Sequence, residues 1–215
     1  MDGTSSQRAW RLCKALVQRP RFIPGYLAHL PLWKRAPLDV GLPLFSYGAI
    51  DYIARLMRPG QKVFEYGSGG STVFFARRAQ RVVSVENEAE WQRMVSARLA
   101  QLGLTNVDCQ LHAFGDAEAG NYGSLPYFNV LTPNTYDIII VDGFCGYGTG
   151  GKGGQLRPYA LAQARAAVKR PGLVVLDDAW MFPEAEAVAG VKPHLFQGIG
   201  PCRYGVTSTA VFRFD

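Results

Sequence analysis

Residues 64–72 read Phe64-Glu65-Tyr66-Gly67-Ser68-Gly69-Gly70-Ser71-Thr72. An apolar run from Lys62 ends in an acid and passes into glycines, and a small-residue segment with helical character, STVFFARRA, follows. Such a strand–glycine turn–helix unit is where open parallel sheets bind nucleotide-like ligands. Glycines at 67 and 69 let a ligand approach the backbone closely. A phosphate-cradling loop would end in Gly-Lys-Ser/Thr, and no lysine is present. A dinucleotide fingerprint, GxGxxG, would need glycine at 72, where Thr72 stands, although Gly70 blurs the count. Glu65 separates the remaining ligands by charge. At about 5 Å and an effective dielectric near 20, a carboxylate repels a pyrophosphate by roughly 3 kcal/mol, and it attracts an ammonium by the same amount. The turn therefore favours a ligand carrying an amine.

Working outward, RVVSVE (81–86) is a second apolar run, and Glu86 closes it 21 residues after Glu65. A carboxylate there can accept from both hydroxyls of a ribose. Asn87 with Glu90 predicts a capping box opening a helix over 88–102. NVDCQLHAF (106–114) is a weaker strand. YDIIIVD (136–142) is a strong one, of the kind buried on both faces of a parallel sheet. LRPYALAQARAAVKR (156–170) predicts a helix closed by Pro171-Gly172, with LVVLDD (173–178) as the next strand. PEAEAVAGV (183–191) reads as helix, and HLFQGIG and STAVFRF as two final strands. The alternation predicts an α/β doubly wound, mostly parallel sheet, with strand order 3-2-1-4-5 at its centre.

Glu65-x-Gly67-x-Gly69 followed by Ser71 resembles the first motif of class I S-adenosylmethionine-dependent methyltransferases, in the form EYGSGGST found in bacterial members. The resemblance spans about residues 61–180. It implies a Rossmann-like methyltransferase fold with S-adenosylmethionine as cofactor. It places Glu65, Tyr66, Gly67, Ser68, Gly69, Ser71 and Thr72 at the cofactor, with Glu86 and Asn87 at the end of the second strand. It also implies an adenine contact from Asp116 after the third strand, a place that Phe114 or His112 could instead fill. Asp142 falls across the sheet's switch point from Gly67, as a cofactor contact, a general base or a metal ligand.

No Asn/Asp-Pro-Pro-Tyr/Phe run follows the fourth strand, and Cys145 lacks the preceding proline of a cytosine-C5 nucleophile. Oxygen on a small molecule or sugar is the acceptor expected. Asp142, Asp177 and Asp178 resemble the Mg²⁺ acids of catechol-type O-methyltransferases. Asp178 stands where that group carries Asn, and Cys145 where it carries Lys, so a metal is not favoured. His112 and His194 are candidate bases by residue type, or structural histidines. Lys152 and Arg157 are contacts for an anionic substrate, or solvated loop charges. Seven glycines lie between Gly143 and Gly154, a composition suited to a lid or to a plain surface loop.

The chain has 215 residues, 48% hydrophobic and 19% charged, which excludes intrinsic disorder. No run of 18 apolar residues and no secretory signal pattern is present. Cys13, Cys109, Cys145 and Cys202 are scattered, without a CxxC pair, which suits a reducing, cytoplasmic compartment. The net charge of +6 sits at one end. Residues 1–60 hold nine Lys/Arg and three Asp/Glu, and the remainder holds 14 of each. Residues 1–45 read as a basic, helical N-terminal extension, and 46–215 as the cofactor-binding domain. Trp10, Cys13, Leu16 and Val17 recur at helical spacing, which predicts an amphipathic helix over 5–18. Ser46 is placed to cap a helix over 47–58. The basic end suits anionic lipid, phosphate-bearing glycan or RNA, or is a solvated helix face. The rival functions are a nicotinamide-dependent oxidoreductase, an RNA methyltransferase and a binding module without turnover.

Overall fold

Tyr136–Val141 forms β4, at the middle of a seven-stranded sheet, and every residue from Ile138 to Val141 is fully buried. A strand covered on both faces needs apolar side chains at successive positions, which the triple isoleucine supplies. The structure is a computed structural model, and it describes residues 4–30, 36–114, 122–143 and 156–215.

β1 (Lys62–Tyr66), β2 (Arg81–Glu86), β3 (Val107–Leu111), β4 and β5 (Val168–Leu176) are parallel. β6 (His194–Ile199) and β7 (Val206–Phe214) form an antiparallel hairpin that adds to β5 through β7. The strand order is β3-β2-β1-β4-β5-β7-β6. The central order 3-2-1-4-5 is thus as expected, and the switch point lies between β1 and β4.

Two layers of helices cover the sheet. Phe64, Tyr66, Ile139, Val174 and Leu176 face α7 (Pro126–Asn129), α8 (Leu156–Ala167) and α9 (Ala185–Ala189). Val63, Ile138, Ile140 and Val175 face α4 (Tyr47–Leu56) and α5 (Gly70–Ala76). α6 (Ala89–Gln101) packs Val95 and Leu99 beside Val73 and Leu38. Ser46 caps α4, its Oγ accepting from the Ala49 amide.

α1 (Ser5–Gln18) fills the expected span and opens with a capping box between Thr4 and Gln7. Its inward residues are Leu12, Ala15 and Leu16, which pack on the cluster containing Phe22, Tyr26 and Phe45. Trp10, Cys13 and Val17 lie outward. The spacing that predicts one apolar face therefore contains two. A short helix, α2 (Ile23–Ala28), and another, α3 (Pro37–Val40), carry the chain to the sheet. A Cβ on Gly70 would collide with the carbonyl oxygens of Pro37 and Leu42, so the helix after the glycine turn is packed directly under this segment.

Two local expectations are corrected. The helix of 156–170 ends at Ala167, because Val168 already pairs with Tyr136 and starts β5. Asn87 does not cap α6. Glu88 is the N-cap residue and makes no side-chain cap bond. The Glu86 carboxylate accepts from the Asn87 and Glu88 amides, which fixes the turn leading into α6.

Candidate cofactor-binding site

The backbone ladders continue past the strand ends and fix the turns against one another. The Gly67 amide donates to Val85 O (2.8 Å), the Asp142 amide to Tyr66 O (3.1 Å), the Asp177 amide to Val141 O (3.2 Å) and the His112 amide to Glu86 O (2.7 Å). Gly67 has φ +94°, and a Cβ there would lie 3.0 Å from Gly143 Cα and 3.2 Å from Asp142 O. A glycine is required both by the dihedral and by this close approach.

Glu65 is fully buried. Its Oε2 accepts from Thr72 Oγ1 at 2.6 Å, and the same hydroxyl oxygen accepts from the Gly69 amide at 2.9 Å. Glu65 Oε1 has no hydrogen-bond partner. Burial pushes the Glu65 carboxyl up to about 7, against the lowering effect of Ser71 and Thr72. An orphaned carboxylate oxygen at this depth is costly unless a donor meets it. Thr72, which breaks the dinucleotide fingerprint, is used through its hydroxyl.

Glu86 is also buried and is saturated. Oε2 accepts from the Ser68 amide (3.1 Å) and Ser68 Oγ (2.7 Å), and Oε1 from the Asn87 amide (2.8 Å) and the Glu88 amide (3.1 Å). Trp91 of α6 donates its indole N–H to Ser68 O at 2.8 Å, and its ring lies beside Gly69. Nothing in the spacing around the motif points to Trp91. Tyr66 contributes its backbone here. Its side chain is buried on the α7–α8 side against Tyr127 and Phe128. Asp116 lies outside the described residues, as do Cys145, Lys152 and the rest of 144–155.

At the ends of β4 and β5 a chain of acids and arginines forms. Arg157 is buried and donates to Gly143 O (2.9 Å), Asp177 O (2.9 Å), Asp142 O (3.2 Å) and Asp142 Oδ1 (3.1 Å). It is a structural clamp, which corrects its reading as a solvated loop charge. Arg203, in the β6–β7 connection, reaches Asp178 Oδ1 (3.0 Å) and Asp177 Oδ2 (3.4 Å). Burial and Asp177 push the Asp142 carboxyl well above the usual carboxylate range, and Arg157 opposes them. Asp142 keeps 21% of its side-chain surface open. Burial and Asp178 raise Asp177 to about 6. Burial would raise Asp178 too, but Arg203 and Arg157 hold it low.

These acids do not converge on a cation. Asp177 is taken by Thr209 and Arg203, and Asp178 Oδ1 by Arg203, Thr207 and the Trp180 indole. Among the described residues no group of three or more His, Cys, Asp or Glu is placed to hold a metal ion. The donor set does not fit Mg²⁺, whose oxygen ligands must be free to face it. His112 pairs with Gln110 beside the site, with 3.1 Å between Nε2 and Oε1. His194 stacks on Tyr52, two strands beyond β5, and does not join the site.

No family model and no curated protein matches the chain. Solved structures do resemble it. An rRNA methylase from Streptococcus thermophilus superposes with TM-score 0.53 at 16% identity, over 84% of this chain and 98% of its own. The N-methyltransferase NodS from Bradyrhizobium japonicum gives 0.55 at 11%, over 78% and 93%. A TehB-like SAM-dependent methyltransferase from Corynebacterium glutamicum gives 0.50 at 15%, over 82% and 91%. At these identities the likeness is one of fold, and the chain has the Rossmann-like architecture that these methyltransferase structures share.

Proposed function

We propose that the protein is an S-adenosylmethionine-dependent methyltransferase that methylates an oxygen of a small molecule or sugar. The observation that carries this reading is Glu65, a fully buried carboxylate with one unpaired oxygen at the glycine turn. A cationic amine would satisfy that oxygen, whereas a pyrophosphate would be repelled by it. A Cβ at Gly69 would meet only the Trp91 ring, at 3.6 Å, so the indole forms the wall beside the turn's backbone. Glu86 stands at the neighbouring strand end for a ribose diol. The names of the similar structures are all of methyl-transferring proteins; one is SAM-dependent, and the two that indicate an acceptor name rRNA and nitrogen.

Bound S-adenosylmethionine supplies an electrophilic methyl group on a sulfonium. The residues of this chain then have two tasks: to align an acceptor and to take its proton. Asp142 suits the second task. It sits at the switch point, about a fifth of its side chain is open, and burial beside Asp177 raises its affinity for a proton, the direction a general base needs. Arg157 orients it through Oδ1. A hydroxyl is the acceptor that most needs such a base.

Calorimetric titration with S-adenosylhomocysteine and with NADH tests the reading. Binding of the first and not the second is expected. Binding of NADH alone would turn the assignment to an oxidoreductase.

A further inference from the structure

The outward side of α1 is used by nothing described so far. The helix carries Arg8, Arg11 and Lys14 and no acid. The acid-free stretch runs from residue 3 to residue 38 and holds seven Lys/Arg. Trp10 and Val17, seven residues apart and so on one face, are 64% and 79% exposed, with the exposed Cys13 between them. Lys14 Nζ lies 5.2 Å from the Trp10 ring. On the flank, Arg8 and Arg11 line a cavity of about 530 Å³ against Tyr204, Gly205 and Val206 of the β6–β7 hairpin, and Tyr204 is 66% exposed.

Core packing explains Leu12, Ala15 and Leu16 and leaves the second apolar face unaccounted for. A polyanion in solution would explain the cations and the two aromatic rings. It would not explain an exposed valine on the same stripe. A lipid interface explains all of them. Cations meet phosphate headgroups, indole and phenol rings sit at headgroup depth, and the aliphatic side chain enters the acyl boundary. We propose that α1 docks the protein on an anionic lipid surface, with Trp10 and Val17 inserted, headgroup phosphates met by Lys14 beside the Trp10 ring, and Arg8 and Arg11 adding positive charge from the flank.

This surface is independent of the methyltransferase reading, and its test needs no cofactor. The full chain is sedimented with vesicles of phosphatidylcholine alone and of phosphatidylcholine with phosphatidylglycerol, and a single-stranded RNA oligonucleotide is run in parallel. Binding to the anionic vesicles only is expected. It should fall by about tenfold or more in Trp10→Ser/Val17→Ser and in Arg8→Glu/Lys14→Glu, two pairs of exposed positions at which folding is checked by thermal melting. Equal binding to both vesicle types, or none to either, overturns the proposal. So does loss on charge reversal with full retention in Trp10→Ser/Val17→Ser. Preferential binding of the RNA would assign the face to nucleic acid instead.

Discussion

Ser68 bridges the glycine turn to Glu86, donating both its amide and its hydroxyl to one oxygen, Oε2. With Asn87 and Glu88 on the other oxygen, the carboxylate has its full complement of about four acceptor sites in use. A ribose hydroxyl reaching Oε2 must therefore displace the Ser68 hydroxyl. Ser68→Ala removes that competitor and leaves the amide contact. S-adenosylhomocysteine should bind about 2–10-fold more tightly, the worth of one hydrogen bond, while adenine alone gains nothing. Calorimetry on both ligands checks this, and weaker binding of S-adenosylhomocysteine would place the ribose elsewhere.

Glu65 makes binding and stability depend on pH in opposite senses. Its folded carboxyl titrates near 7 against an ordinary value of 4.5. Between these values the folded protein holds more proton than the unfolded chain, so stability falls as pH rises through that window and levels off above about 7. The full effect is of order 3 kcal/mol, and Glu65→Gln should flatten that part of the profile, as seen by denaturant unfolding from pH 5 to 8. A ligand ammonium favours the ionised form, so affinity for S-adenosylhomocysteine should rise across the same window. Proton release, seen as a buffer-dependent binding heat near pH 6.5, should vanish in Glu65→Gln. A pH-independent affinity would show that the amine does not face Glu65.

Arg157 joins β4 to β5 through three backbone carbonyls and Asp142. Arg157→Met would leave those carbonyls and the half-buried Asp142 carboxylate unpaired, at a cost of about 3 kcal/mol. Lysine has a single charged centre and cannot reproduce the fork, so Arg157→Lys should recover little. Thermal melting should show both variants shifted down by about 10 °C. A shift as small as that of a surface substitution would remove Arg157 from the account of the site.

Much of this was legible in the chain, for identifiable reasons. The triple isoleucine of β4, the acid–glycine turn and the Ser46 cap are local signals, and the structure has each where the spacing puts it. What escaped depends on partners distant in sequence. Val168 pairs with Tyr136, so a segment that continues a helical pattern and meets Pro171-Gly172 becomes strand. Arg157, Trp91 and Arg203 act on backbone or carboxyl oxygens at the ends of other strands, and no periodicity marks them. The second apolar stripe of α1 was visible as spacing, but which stripe faces the core is decided by β6 and β7.

Gly70 couples residues 37–42 to the helix after the glycine turn. Gly70→Ala should cost about 1–3 kcal/mol by overpacking against two carbonyls that belong to backbone and cannot swing away. Urea unfolding measures it. A neutral result would mean that the segment 37–42 moves freely over α5.

In the function proposed, S-adenosylmethionine sits on the turn 65–72 between Glu65 and Glu86. A crystal structure with S-adenosylhomocysteine tests it most directly. The amine is expected on the Glu65 side, the ribose hydroxyls at Glu86 with the Ser68 hydroxyl turned away, and the sulfur facing Asp142. A ligand bound elsewhere, or one whose amine and ribose lie away from both carboxylates, would contradict it.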